Sequence, residues 1–447
     1  MKNNIIAATK SLCPVCLKKI SADYTAEDGK VYLFKECDLH GSFKTLVWDN
    51  EDHFRQFYKP DSSRDKPLNA KKSEAGCPFD CGICESHRQA TCCVLLEVTD
   101  RCNLNCPVCF AKAGSEVSSD PSLEKISGWY DMLLKSGGPF NIQLSGGEPT
   151  MRHDLDEIIK LGKSKGFDFF QLNTNGIRIG EDMEYLKKLA DSGLNTVFLQ
   201  FDGFSDNTFE YLRGKNILDK KLKAIENCKK LNIGVVLVPT LKKGINDHEI
   251  GDIINFAADN MPHIRSVHFQ PMSFFGRYGK APDNEDRMTI YKVLEEIEKQ
   301  TNGKMKIKDF ESGSAEHSLC SFHGDFFKEN DEIKPVKLKS NSCCSSQSAR
   351  KSVARKWSMM KFDPGSAKEK SGFNLQSIDS FLDKVNNNKI SISGMAFQDV
   401  WNLDIDRLQK CYIHTVSQNS GLIPFCAYNL TSLSGEGLYR KAFEQQE

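Results

Sequence analysis

From Val94 onward the chain alternates short runs of β-branched and aromatic residues with longer stretches whose apolar positions recur every three or four residues. The runs VLLEVTD (from 94), FNIQLSG (140), DFFQLNT (168), NTVFLQF (195), IGVVLVPT (233) and IRSVHFQP (264) read as strands. Between the first two, Leu123, Ile126, Tyr130 and Leu133 share one face of a helix predicted over about 121–136. Asp120 and Pro121 are its start signals and Gly137-Gly138 its stop. The strand starts lie far enough apart for a crossover helix in each interval, which predicts parallel pairing. Six such units predict an α/β fold, an open or partial (β/α)6 barrel rather than a closed eight-stranded one.

The flanks are organised differently. Residues 1–58 form a compact start, and 59–93 begin as a charged linker, KPDSSRDKPLNAKKSEAG, that runs into a cysteine cluster. The repeated units occupy 94–275. In 276–447 a predicted helix, DRMTIYKVLEEIEKQ, is followed by a polar tract and then a last compact segment, RLQKCYIHTVSQNSGLIPFCAYN. No solenoid period is present.

Composition narrows the function classes. The 447 residues carry 60 basic and 60 acidic side chains, so no polyanion is implied as partner and nucleic-acid binding is disfavoured. The start MKNNIIAATKSLCPVC has no long apolar run, and no window reaches the roughly 18 apolar residues of a membrane span; a cytoplasmic protein is expected. Seventeen cysteines, mostly in short clusters without an export signal, point to metal ligation rather than disulfides.

The sharpest chemistry is EVTDRCNLNCPVCFAKAG, which places Cys102, Cys106 and Cys109 directly after the first strand. In a parallel barrel that loop lies on the face where ligands bind. Three thiolates on a 4Fe-4S cluster leave one iron with an open coordination position, although a zinc knuckle is the alternative for the triad alone. At the end of the second strand, LSGGEPT offers Gly146 and Gly147 for close backbone approach to a ligand and Glu148 as a carboxylate, where a plain tight turn is the bland reading.

Together these motifs resemble the radical S-adenosylmethionine superfamily over about 94–275. Cys102, Cys106 and Cys109 match its cluster motif, and Gly146, Gly147, Glu148 and Pro149 its methionine-binding motif. The resemblance implies that the unique iron chelates the amino and carboxylate groups of S-adenosylmethionine, and that an injected electron splits the sulfonium to give a 5'-deoxyadenosyl radical that abstracts hydrogen. It also places Asn175 (LNTNG), Asp202 (LQFDG) and Arg213 (YLRG) near the ribose and carboxylate. The residue before the third cysteine is commonly aromatic in this superfamily. Here it is Val108, so adenine contact is expected from Phe110 or Phe269.

GCPFDCGIC repeats the triad spacing at Cys77, Cys81 and Cys84; with Cys92 or Cys93 it completes four thiolates for an auxiliary cluster, a structural zinc being the alternative. Cys13 and Cys16 with Cys37 and His40 resemble a zinc-ribbon or rubredoxin-like knuckle for zinc or mononuclear iron, with another cysteine in place of His40 left open. The whole arrangement resembles the branch containing tetraether lipid synthases and pterin methyltransferases. The pair Cys343-Cys344 is similar to a shorter bacterial subfamily with selenocysteine-containing members. That branch implies a second auxiliary cluster on Cys411 and Cys426 with Cys320 and Cys343 or Cys344, plain buried thiols being the alternative; Cys228 reads as packing.

The resulting expectation is an enzyme that abstracts hydrogen from an unactivated carbon and couples or alkylates it, served by an electron donor such as flavodoxin or ferredoxin. The branch suggests lipid chains. ARKSVARKWSMMKF puts Val353, Trp357 and Met360 beside Arg350, Lys351, Arg355 and Lys356, as a helix peripheral to a membrane surface would, or a solvated basic helix. A pterin-like ring or a peptide cysteine is the second substrate reading, and a non-catalytic multi-zinc interaction protein the reading from another class. His153 and His268 receive no role.

Overall fold

A computed structural model describes residues 4–59, 66–114, 119–313, 315–329, 332–336, 346–359, 388–417 and 421–440. Its first unit is an antiparallel sheet of β1 (Asn4–Leu12), β2 (Lys19–Glu27), β3 (Lys30–Cys37) and β4 (Gly41–Trp48). Alternation along these strands turns Tyr24, Val31, Leu33 and Trp48 inward. Phe54 and Phe57 of the helix Glu51–Phe57 pack onto them, and Asn50 caps that helix by accepting from the His53 N–H.

The main sheet holds thirteen strands among the described residues. In chain order they are β5 (Cys93–Thr99), β6 (Asn141–Gly146), β7 (Phe170–Thr174), β8 (Thr196–Gln200), β9 (Gly234–Val238), β10 (Thr240–Leu241), β11 (Ile264–Pro271), β12 (Glu311–Ser312), β13 (Ser321–Glu329), β14 (Glu332–Pro335), β15 (Lys389–Met395), β16 (Ile413–Ser417) and β17 (Gly421–Pro424). The six predicted strands are β5, β6, β7, β8, β9 and β11, paired in parallel in that order. The C-terminal tract adds a parallel neighbour at each side, β16 on β5 and β15 on β11. Antiparallel β17 flanks β16, while β13 with β12 and β14 flanks β15. The pairing path runs from β12 to β17 without joining its ends among the described residues.

One face of this sheet is an apolar core: Val94, Leu96, Ile142, Leu144, Leu172, Leu199 and Leu237 lie under the crossover helices. The opposite, concave face is interrupted by Gln143, Asn173, Gln200, His268 and Gln270, which border a cavity instead. The first crossover helix is Leu123–Lys135, and its cap is Ser122, which accepts from the Lys125 N–H. Asp120 is taken instead by Thr99 Oγ1 and the Arg101 guanidinium, which moves the helix start two residues along.

The basic segment packs on the sheet. Helix Ser346–Trp357 seats against the N-terminal ends of the parallel strands. Arg350 donates to the Thr91 carbonyl at 2.7 Å and the Pro139 carbonyl at 2.9 Å, and its own carbonyl accepts from Asn141 Nδ2. Trp357 packs 5.2 Å from the Phe198 ring, and Lys356 pairs with Asp325. Carbonyls at strand starts, invisible to a charge count, claim this helix. Met360 lies outside the described residues, among which no helix is long and apolar enough to cross a membrane.

Candidate active site and metal centres

The loop after β5 carries Cys102, Cys106 and Cys109 at the C-terminal ends of the strands. It is pinned from the segment after β11. Arg277 and Cys109 exchange two backbone hydrogen bonds of 2.8 Å, Arg277 Nε donates to the Cys106 carbonyl at 2.7 Å, and its Nη2 donates to that of Ala113. Gly276 makes this approach possible, because at φ +71° a Cβ would sit 2.4 Å from the Cys109 carbonyl oxygen. The sequence reading passed over this anchor; its signal was the FFGRYG stretch just past a predicted strand end.

The three thiols share one wall of a cavity of about 570 Å³. Burial first, then the Glu148 carboxylate and the other two thiols, pushes Cys102 up to about 12. Burial also raises Cys106, against the pull of Arg213. Three thiolates on one cavity wall, Cys106 buried and Cys102 and Cys109 partly so, repel one another unless a cation takes their charge, so the donor set fits a thiolate-bound cluster. No fourth cysteine, histidine or acid gathers with them into a compact single-ion site among the described residues, whereas the knuckle residues do.

The glycine pair borders the cavity and also lets two backbone segments meet. A Cβ on Gly146 would lie 2.1 Å from the Thr99 carbonyl oxygen, and one on Gly147 2.4 Å from that of Arg101. The freed space lets the Gly147 and Glu148 N–H groups donate to the Thr99 and Arg101 carbonyls at 2.8 and 2.9 Å, which fastens the end of β6 to the cysteine loop. Glu148 is fully buried: Oε1 accepts from the Thr150 N–H, Thr150 Oγ1 and Thr174 Oγ1, and Oε2 from the Asn175 N–H at 2.7 Å. It ties β6 to β7, and Pro149 opens the short turn Pro149–Met151 beside it. Gly147→Ala should therefore displace the cysteine loop, costing about 1–3 kcal/mol as overpacking does. Iron bound per chain after anaerobic reconstitution should fall, and an unchanged iron count would contradict this account.

Asn175 Nδ2 donates to Asn103 Oδ1 at 2.7 Å, a second tie to the cysteine loop, and Asn175 borders the cavity. Asp202 does not border it. Its carboxylate is buried and grips Arg213 through two hydrogen bonds of 2.7 Å while accepting from the Thr240 N–H. Arg213 is the group that faces the cavity, and it also hydrogen-bonds the Cys106 thiol. Beneath them Lys221, fully buried, donates to the Asn175 and Gln200 carbonyls, and burial lowers it to about 8. A lysine on the helix Leu218–Lys230 reads as solvated from sequence, so it was missed. Phe110 lines the cavity, whereas Phe269 points into the opposite core.

The remaining cysteines fall into separate groups. Ligand atoms of Cys13, Cys16, Cys37 and His40 all lie within 4.8 Å of one another, in the β1–β2 and β3–β4 turns. His40 Nδ1 is 3.5 Å from both Cys13 Sγ and Cys37 Sγ. This is a four-ligand site with the donor set and compactness that zinc takes. Cys77, Cys81 and Cys84 come together, and Cys77 and Cys81 are in sulfur–sulfur hydrogen-bond contact. The structure places Cys92 and Cys93 elsewhere, at the start of β5, where Cys92 neighbours Arg350 and Glu316 and Cys93 contacts Gln143. Chain direction explains this: β5 carries them under the sheet. Cys320, Cys411 and Cys426 are charge neighbours of one another, Cys426 buried and the other two partly so, with Arg407 on Cys320 and the Gln398 N–H on Cys426 Sγ at 3.2 Å. Cys343 and Cys344 lie outside the described residues. Cys228 is packed in the core.

A cysteine triad on a loop over parallel strands, fastened to a GGEP turn and opening on a cavity, defines a radical S-adenosylmethionine enzyme. The model of the radical SAM superfamily matches residues 96–257, and that of the HMPTM N-terminal zinc ribbon domain matches residues 5–49. The 7,8-dihydro-6-hydroxymethylpterin dimethyltransferase of Methanocaldococcus jannaschii is 37% identical over 94% of this chain and 93% of its own length. The chain belongs to the radical SAM superfamily, in the family of that zinc-ribbon-bearing methanogen enzyme. Fe-coproporphyrin III synthase of Methanosarcina barkeri is 32% identical over 46% of this chain and 51% of its own. The Streptococcus suis SuiB structure bound to S-adenosylmethionine aligns at a TM-score of 0.37 and 16% identity over 48% of this chain and 47% of its own. The chain is thus an iron–sulfur enzyme that uses S-adenosylmethionine and carries a zinc-ribbon unit.

Proposed function

We propose that this enzyme transfers a one-carbon unit, supplied by a second S-adenosylmethionine or another one-carbon donor, onto a carbon of a pterin-like heterocycle after hydrogen abstraction. The observation that carries this reading is the amide girdle of the cavity: Gln143, Asn173, Gln200 and Gln270, from four strands, border the space that starts at the cysteine loop. Amides offer donors and acceptors together, which matches the alternating edge of a fused pyrimidine ring. Gln143 and Asn173 partly satisfy each other, but an alkyl chain would offer no partner to the girdle's remaining donors and acceptors, at about 1–3 kcal/mol each, which weighs against lipid. The similarity to the methanogen pterin dimethyltransferase over nearly the whole chain supports the same class.

Cys102, Cys106 and Cys109 would hold the 4Fe-4S cluster, which with S-adenosylmethionine supplies a hydrogen-abstracting radical when both are bound. Arg213 and Asn175 would orient the nucleotide, Phe110 would pack on its base, and helix Ser346–Trp357 would exclude water from the far end. Cys77, Cys81 and Cys84, and separately Cys320, Cys411 and Cys426, would hold auxiliary clusters that pass electrons from a flavodoxin or ferredoxin.

The test is anaerobic turnover of reconstituted enzyme with dithionite, S-adenosylmethionine and 6-hydroxymethyl-7,8-dihydropterin, read by mass spectrometry. Pterin-dependent 5'-deoxyadenosine and a methylated pterin are expected. Stimulation by an acyl lipid but not by pterin would overturn the reading.

A further inference from the structure

We propose that Tyr439 supplies the fourth ligand of the Cys77/Cys81/Cys84 site, a step that rests on reading that site as an iron–sulfur cluster. Spacing nominated Cys92 or Cys93 for this place, but the fold carries both to the start of β5, beside Arg350, Glu316 and Gln143. What meets the triad instead is a phenol from the opposite end of the chain. Tyr439 Oη accepts from the Cys81 N–H at 2.8 Å, donates to the Pro78 carbonyl at 2.5 Å and contacts the Cys81 thiol. Cys77 and Cys84 are buried, and Tyr439 packs in the same apolar cluster as Cys77 and Cys81.

The segment that delivers Tyr439 is built, not draped. Leu438 N–H donates to the Leu430 carbonyl and Arg440 N–H to that of Tyr428, which closes a hairpin-like strap. Arg440 then pairs with Glu97, with Nη1 3.1 Å from Oε2, while Tyr428 Oη donates to the same carboxylate at 3.2 Å. Glu97 lies five residues before Cys102 on β5, and the Arg440 guanidinium sits 5.8 Å from the Phe110 ring. Leu433 N–H reaches the Pro14 carbonyl, between two knuckle cysteines. One strap thus touches all three N-terminal and central cysteine loops, and its oxygen donor falls at the Cys77/Cys81/Cys84 loop.

Three thiolates and one phenolate complete a four-ligand set. Binding releases the phenol proton, breaks the donation to Pro78, keeps the acceptance from Cys81 N–H and moves no electron. A cluster held by four protein ligands resists oxidative loss of iron, whereas one with an open corner sheds an iron to give a 3Fe-4S form.

The experiment uses full-length, reconstituted protein carrying Cys106→Ala, which removes the radical-generating cluster from the signal. After mild ferricyanide oxidation, EPR should show close to one more 3Fe-4S signal per chain from Cys106→Ala/Tyr439→Phe than from Cys106→Ala, any signal from the Cys320/Cys411/Cys426 site being common to both. An equal signal in the two proteins would mean that Tyr439 closes no corner, which overturns the proposal. Resonance Raman of the Cys106→Ala protein, which needs no change at 439, should show iron-enhanced phenolate ring modes, and their absence also overturns it. If adding Cys77→Ala and Cys81→Ala to Cys106→Ala leaves the iron count unchanged and removes zinc instead, the cluster reading itself fails. That outcome is distinct from the others.

Discussion

Cys106→Ala will abolish reductive cleavage of S-adenosylmethionine while leaving the zinc content unchanged. The Cys106 thiol is 8% exposed, borders the cavity and is held by Arg213, while its backbone carbonyl is held by Arg277. Removing it leaves Cys102 and Cys109, two donors for a group that needs three. Losing an outer partner of a metal site costs about 10–100-fold, so loss of a direct ligand should exceed roughly 100-fold in 5'-deoxyadenosine formed under dithionite. Zinc should survive because Cys13, Cys16, Cys37 and His40 sit on turns of a separate antiparallel sheet. The measurements are iron, sulfide and zinc per chain beside the cleavage assay. Cleavage within a few-fold of wild type would show that the triad is not the cofactor site.

Sequence made the catalytic half of this picture legible because each of its signals is local. Strand periodicity located β5 to β9 and β11, and a fixed spacing brought the triad to one loop. What stayed hidden depends on contacts between distant segments. β15 and β16 are no shorter than β7 to β9 but are not followed by long crossover helices, so nothing in KISISGM or IHTVS announces that they join opposite edges of the sheet. Gly146 and Gly147 read as room for a ligand; both line the cavity, and the Thr99–Arg101 backbone also approaches them. The same limit applies to Arg350, whose charge fits a solvated or a membrane-surface helix and whose partners are carbonyls at the strand starts. Cys92 followed the spacing rule until the strand carried it away.

Substituting Asp202 or Arg213 singly will cost more stability than any surface change, because the pair is buried on both sides: the side chains are 0% and 6% exposed. Burial alone would raise the Asp202 carboxyl. Arg213, then Lys221 and the Thr240 N–H, outweigh that and hold it below the usual carboxylate range. Asp202→Asn leaves Arg213 charged, buried and without its carboxylate, and breaking a buried pair this way costs about 3–5 kcal/mol. Set against a total of about 5–15 kcal/mol for a typical domain, that loss should shift the urea midpoint well below wild type. The double change Asp202→Asn/Arg213→Met should recover part of it, since the stranded cation is gone, yet should not restore cofactor cleavage because nothing then holds the Cys106 thiol. The pH dependence has a definite sign. A carboxylate with a depressed folded pKa stabilises the protein above its unfolded pKa, and that contribution fades as pH falls through the folded value. The gap between wild type and Asp202→Asn should therefore be full at neutral pH and narrow only in acid, below the ordinary aspartate range. Equal urea midpoints at neutral pH, or a gap that widens in acid, would refute the claim that this ion pair holds the arginine against the cysteine loop.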